Sequence, residues 1–256
     1  MNYTEQEFEE AKAYLRDRIR NEQSMSADVL RLLELYAAYL LTALFGHASN
    51  EEIEAIIAEF VEEIMADCEM LACDEHDRKE MILIYMNSER HGDTLEGRIR
   101  KRADTFFNEV YAVFLAGKLM NLNKQTLLSS IKSNLKDPWN NEILKAVREK
   151  QKRGEVDQEY DFDEPHYGKG VPISSLTAID RITSYAIADA WTYWRYEDAS
   201  EKGAKGYFVV RGSTYPCDTC QEAVDSGFHP MSDTEHLVPL HLNCVCMIVY
   251  SYVERL

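Results

Sequence analysis

Between Cys217 and Cys246 the chain reads CDTCQEAVDSGFHPMSDTEHLVPLHLNCVC, which holds four of its six cysteines and three of its seven histidines. Thiolate and imidazole are the ligands Zn²⁺ prefers. Cys217 and Cys220 have the C-x2-C spacing with which one tight turn aims two thiolates at one ion, and His241, Cys244 and Cys246 follow. A closed tetrahedral site takes four ligands, so one of the five donors is surplus. The expected set is Cys217, Cys220, His241 and Cys244, with Cys246 as the substitute for Cys244. Residues two apart in an extended strand share a face, so either cysteine can reach the ion. A segment so poor in apolar residues cannot hold itself together, and bound Zn²⁺ would supply folding energy rather than reaction chemistry. The plainer alternative is two unrelated cysteine pairs in a small apolar core.

Three catalytic readings compete. PCDTC matches the second half of the zinc deaminase signature, H-x-E…P-C-x-x-C. The first half is missing, because none of His47, His76, His91 or His166 is followed two residues later by Glu. EHLVPL resembles the DHIVPL strand of HNH nucleases, in which the histidine, here His236, is the general base. Leu240 runs straight into HLNC and leaves no room for the metal-binding half of that unit. A thioredoxin-like C-x-x-C needs a βαβ setting, and none is visible around Cys217.

Other residues read as packing. Cys68 and Cys73, near Asp74 and His76, have poor spacing for a second metal and suit a helical core. His229 and His236 read as loop residues, exposed or serving as spare ligands. Trp191 and Trp194 read as core rather than as a platform for bases. Gly168 and Gly170 are too few to cradle a phosphate, and no Ser or Thr follows Lys169 as a P-loop requires.

The elements that must position the cysteines are mostly helical. Thr4 with Glu7 and Ser49 with Glu52 form capping boxes ahead of apolar stripes, Phe8–Ala11–Leu15–Ile19 and Ile53–Ile56–Ile57–Phe60–Val61–Ile64–Met65. A helix is expected over 94–119, carrying Leu95, Ile99, Ala103, Phe107, Val110 and Phe114. Another should start at Pro138 and end at Gly154. GEVDQEYDFDEPHYGKGVP has neither helical nor strand periodicity and reads as a linker or arm. One long helix follows, with Ile179, Ile182, Ala186, Ala190 and Trp194 as its stripe and Gly203 or Gly206 as its stop. YFVVRG and VCMIVYSYV read as strands flanking the cysteine segment. The expected fold is therefore mainly α. An α-helical domain over 1–153 forms a bundle, 154–172 is the linker or arm, and a small α+β domain over 173–256 is closed by the Cys/His metal site.

Of the 256 residues, 45% are hydrophobic, enough for one good core or two unequal ones. The formal charge of −17 argues against any general affinity for nucleic acid, which depends on Lys and Arg meeting phosphates. Residues 51–96 are acidic and 101–153 lean basic, as solvated helix faces do. VLRLLELYAAYLLTALFG is the most apolar run, but Arg31 and Glu34 interrupt it, so a buried helix is expected and not a membrane span. MNYTEQEFEE has no apolar signal core. Synthesis in a reducing compartment is therefore expected, where clustered cysteines hold metal more often than they form disulfides.

The C-terminal part also resembles the phage Mu F-like head morphogenesis family of minor head, or minor capsid, proteins. YGKGVPISS resembles the family's Gly-rich arm and Ser pair, and AIADAWTYWRYEDASEKGAKGYFVVRGS its long helix, turn and strand. YPCDTCQEAVDSGFHP with VPLHLNCVC is similar to its C-x2-C…P-x-H-P-x-C-R-C ending. The family's Arg-Thr-Glu in the helix is replaced by Ser184, Tyr185 and Ala186, and its Pro and Arg near the last cysteines are absent. The resemblance implies a non-catalytic structural role in virion assembly. Such proteins enter the head in few copies near the portal, with portal and capsid proteins, and further copies of the chain, as partners. They act in the bacterial cytoplasm during assembly, for a phage or prophage, and then in the virion head.

Overall fold

The computed structural model describes residues 3–73, 79–89, 92–136, 141–156, 173–241 and 243–253. Among these residues eight helices precede or surround three short strands: α1 Glu5–Phe45, α2 Asn50–Cys73, α3 Lys79–Asn87, α4 Leu95–Leu119, α5 Lys124–Lys136, α6 Glu142–Lys152, α7 Ser175–Glu201, β1 Gly206–Val210, α8 Asp218–Asp225, β2 Phe228–Pro230 and β3 Met247–Ser251. The chain is thus mainly helical with a small antiparallel sheet near its C-terminus. Among the described residues no helix is long and apolar enough to cross a membrane.

Both expected capping boxes form. The Thr4 backbone N–H donates to Glu7 Oε2 at 2.7 Å while the Glu7 N–H donates to Thr4 Oγ1 at 3.2 Å. Ser49 and Glu52 exchange the same pair of bonds at 2.7 and 3.3 Å. Each box satisfies donors that the first turn of a helix leaves free. α6 starts on Asn141, whose side chain accepts from the Leu144 N–H, and ends at Gly154 with φ of 70°. Pro138, the expected start, lies outside the described residues, as do residues 157–172 of the expected arm.

The chain divides into two compact units. One comprises Met1–Ser26, Asp67–Leu95 and Arg181–Leu256, the other Ala27–Ala66 and Glu96–Asp180. Within the second, Leu33, Tyr36, Phe60, Ile64, Ile99, Phe106 and Val110 are buried, and Phe60 meets Tyr36 edge-on with ring centroids 5.3 Å apart. Gly117 belongs to this core, because a Cβ there would lie 2.2 Å from a methyl of Leu127. Acidic and basic stretches meet at Lys132–Glu34, 2.8 Å apart, and at Arg100–Glu54.

The first unit carries the sheet. β1 is central, antiparallel to β2 and to β3, with Phe208 opposite both Phe228 and Val249, and Val209 opposite Ile248. Side chains alternate across the sheet. Tyr207, Val209, Ile248 and Tyr250 pack with Cys220, Ala223, Val238, Cys244 and Cys246 on one face. Met247, Val249 and Val210 meet Ala11, Phe8 and Leu15 of α1 on the other. At this end of α1 the buried polar residue is Arg18, and Ile19 of the expected stripe is half-buried.

Helix α7 buries Ile179, Thr183, Ala186, Ile187, Ala190 and Trp191, while Ile182 and Trp194 of the expected stripe are half-buried. Trp191 Nε1 donates to the Leu71 carbonyl at 3.3 Å. Gly203, at φ of 83°, turns the chain out of the helix into β1. Cys68 and Cys73 are packed core, with their thiols 3.8 and 3.9 Å from the carbonyls of Thr183 and Lys79. Asp74 and His76 lie outside the described residues.

Candidate metal centre

The cysteine segment is more regular than its composition suggests. Cys217 is the N-cap of the short helix α8, so Cys220 follows within its first turn. Cys220 and Ala223 share the face that packs on the sheet, and the chain then returns through β2. His241 and Cys244 occupy one turn, closed by the Cys244 N–H donating to the His241 carbonyl at 3.1 Å, with Asn243 at φ of 64°. Cys244 and Cys246 both precede β3 rather than lying in it, yet both sulfurs reach Cys220, as expected of residues able to serve one site.

These turns bring the donors together. Cys217 Sγ and Cys220 Sγ lie 3.2 and 3.0 Å from His241 Nε2, and Cys220 Sγ lies 3.9 Å from Cys244 Sγ. The five donors form two overlapping triplets, Cys217–Cys220–His241 and Cys220–Cys244–Cys246, each with its ligand atoms within 4.8 Å of one another. Tetrahedral Zn²⁺ with sulfur ligands has edges of about 3.8 Å between sulfurs and about 3.6 Å between sulfur and nitrogen. The Cys220–Cys244 separation matches that spacing, and the contacts with His241 are a little tighter. A soft N/S donor set at these separations can hold a metal ion.

The thiols differ in how readily they ionise. The Cys220 backbone N–H at the start of α8, then the Cys220 side chain and His241, lower the Cys217 thiol. A hydrogen bond from the Cys246 thiol, helped by backbone N–H groups, draws Cys244 down to about 5 against the effect of burial. Burial pushes Cys220 up to about 12, and donation to Cys244, reinforced by burial, holds Cys246 well above the ordinary thiol range. Cys217 and Cys244 are thus shifted toward the thiolate form and Cys220 and Cys246 away from it, and a bound cation would have to displace protons from those it takes.

Two backbone features brace the cluster. Gly212 lies flat against the loop before β3. A Cβ at 212 would sit 1.7 Å from the Val245 carbonyl oxygen, and the Gly212 N–H donates to the Cys246 sulfur. Arg18, only 1% exposed, donates from Nη2 to the Cys244 carbonyl at 3.2 Å, and its Nε lies 3.0 Å from Glu22 Oε1. Neither residue is a candidate from sequence, where a lone Gly and a lone Arg carry no spacing signal.

His229 is not a loop residue. It sits on β2, is 2% exposed and stacks on Tyr207 with ring centroids 5.1 Å apart. Its Nδ1 lies 2.9 Å and that of His236 2.8 Å from the same oxygen of Asp233, Oδ2. Burial works to raise the Asp233 carboxyl, but the two imidazoles beside it outweigh burial and hold the carboxyl below its usual range. His236 is half-buried. Asp233 carries no mark in the sequence, since one acid in a polar loop is ordinary.

No family model, curated protein or solved structure matches this chain. Fold and site together define its class as a mainly helical protein with a small C-terminal antiparallel sheet. On that sheet rests a Cys/His cluster able to hold a metal ion.

Proposed function

We propose that the chain is a minor head protein of a phage or prophage, non-catalytic, acting in head assembly near the portal with a structural zinc ion. One observation carries the reading. A long helix runs through a glycine turn into β1, and the C-x2-C and H-x2-C-x-C segments that follow converge on Cys220. That order is the one the Mu F-like resemblance rests on. Cys217, Cys220, His241 and Cys244 would hold the ion, which supplies folding free energy by tying α8 to the turn before β3. The partners are portal and capsid proteins, and the place of action is the bacterial cytoplasm and then the virion head.

The test is co-expression with portal and major capsid proteins of the phage or prophage that encodes the chain, followed by purification of particles. The expected result is a few copies of the chain per particle, lost when the portal is omitted. Particles that never carry the chain overturn the reading.

One observation favours a second reading, a metal-dependent nuclease. Asp233 holds Nδ1 of His236, and a carboxylate in that position fixes the tautomer whose other nitrogen is the base. Plasmid cleavage with Mg²⁺, Mn²⁺ or Zn²⁺ that disappears in His236→Ala would establish it in place of the assembly role. Absence of cleavage removes it.

A further inference from the structure

The protons around His229 do not fit a neutral imidazole hydrogen-bonded to Asp233. His229 Nε2 lies 2.8 Å from the Ala223 carbonyl oxygen, which can only accept, so Nε2 carries a proton. In a neutral ring Nδ1 then presents a lone pair, and it faces the carboxylate oxygen Asp233 Oδ2 at 2.9 Å. Two lone pairs at hydrogen-bond distance repel unless a positive charge lies between or upon them. His236 Nδ1 approaches the same oxygen at 2.8 Å. One ligand atom from each of His229, Asp233 and His236 lies within 4.8 Å of the other two.

From this juxtaposition we infer a second metal site, in which His229 Nδ1, Asp233 Oδ2 and His236 Nδ1 bind a divalent first-row transition ion. It is distinct from the cysteine cluster and independent of the assembly reading. Two imidazoles and one carboxylate suit Zn²⁺, Co²⁺ or Fe²⁺. Octahedral ligands at ~2.1 Å are about 3.0 Å apart along an edge, close to both nitrogen–oxygen distances.

The supporting contacts are those a ligand histidine uses. A metal-bound imidazole donates its other N–H to a carbonyl or carboxylate, which fixes the ring and the tautomer. Ala223 O does this for His229, and the Tyr207 ring stacks against it. The Tyr207 hydroxyl donates to the Asp233 carbonyl at 2.7 Å, and Asp233 Oδ1 accepts from the Glu235 N–H at 3.1 Å, so the carboxylate is held by its own turn. The His229 side chain is 3% exposed, but that of Asp233 is 22% and that of His236 32% exposed, so the ion's remaining positions would face solvent. Such a site is able to take a water or an anionic ligand.

The full chain, stripped of metal and titrated with Co²⁺ under reducing conditions, tests the inference. Wild type should bind one ion whose spectrum shows thiolate-to-cobalt charge transfer, and a second that adds only weak d–d bands. His236→Gln and Asp233→Asn should each lose the second ion and keep the charge-transfer band. Unchanged stoichiometry in both variants overturns the site. A readout on wild type covers variants that fail to fold: in ring ¹⁵N spectra, Zn²⁺ should shift Nδ1 of both His229 and His236 while His229 Nε2 keeps its proton. If His229 instead carries protons on both nitrogens at neutral pH with Zn²⁺ present, the charge is an imidazolium and the inference fails.

Discussion

Arg18 Nη2 and the carbonyl oxygen of Cys244 are 3.2 Å apart and 226 positions distant in sequence. The guanidinium is almost fully buried, with its Nε close to Glu22 at 3.0 Å. A buried cation is costly unless its donors are used, so its aim at one turn of the cysteine cluster constrains both. Arg18→Met keeps the stem but removes the charge and the donor. It should cost about 1–3 kcal/mol, the penalty for a buried acceptor left without its donor. Bound metal should also pass to a chelator faster than from wild type. Thermal unfolding and a colorimetric chelator assay measure the two effects.

Gly212 makes a sharper prediction, because it is a matter of space. A methyl group there would overlap the Val245 carbonyl, at 1.7 Å, and the obstruction is backbone that no rotamer change can move. The neighbouring Arg211 is itself tied down, its guanidinium donating to Gln221 Oε1 at 2.9 Å, which opposes a shift of the chain away from the clash. Gly212→Ala should destabilise the protein by about 2–3 kcal/mol, as overpacking does. It should also displace Cys246 from its N–H partner. Denaturant unfolding should show the lower midpoint, and a midpoint equal to that of wild type would mean that the loop at Val245 yields.

How far the molecule was legible in its sequence depends on the range of the interaction. Thr4/Glu7, Ser49/Glu52 and the Gly203 stop act over a few residues, so pattern alone locates α1, α2 and the end of α7. The C-x2-C pair is legible for the same reason. α8 is not, since eight residues with only Cys220 and Ala223 buried make too short a stripe to see. The roles of Arg18 and Gly212 come from partners far along the chain, and the Tyr207 ring that backs His229 is supplied by β1. No spacing encodes those long-range encounters, whereas His229, Asp233 and His236 meet within eight residues and escape notice only because their spacing matches no familiar ligand pattern.

Glu109 and Ser175 couple stability to pH. The Ser175 hydroxyl donates to Glu109 Oε2 at 3.0 Å, and burial raises the carboxyl to about 8 against that bond. A raised acid favours the folded state while it stays protonated. Its contribution is complete below the unfolded value near 4.5 and is lost as pH rises through about 8. Glu109→Gln keeps the shape and a hydrogen-bonding group but cannot ionise. It should match wild type near pH 4 and exceed it at about pH 8.5. The residue is half-buried, so solvent screening limits the gain to about 1–2 kcal/mol. Urea midpoints at the two pH values check the sign, and equal midpoints at both would remove Glu109 as the cause.

The choice between Cys244 and Cys246 follows from which triplet completes the ion. Cys220 belongs to both triplets, so Cys220→Ser should abolish binding at the cysteine cluster whichever cysteine is the fourth ligand. Cys244 shares a turn with His241, stands 3.9 Å from Cys220 Sγ and leans toward thiolate. Cys246 keeps its proton by donating to Cys244 and accepts the Gly212 N–H. That is the position of a neighbour that tunes a ligand rather than of the ligand itself. Cys244→Ser should therefore weaken Zn²⁺ binding by about a hundredfold or more, as losing one of four ligands costs several kcal/mol of the total. Cys246→Ser keeps a donor to Cys244 and should cost about tenfold or less, at the low end for partners of ligands. Competition titration with a zinc chelator ranks the variants, and thiolate–cobalt band intensity reports the number of sulfurs bound. A larger loss in Cys246→Ser than in Cys244→Ser would reverse the assignment and make Cys244 the neighbour.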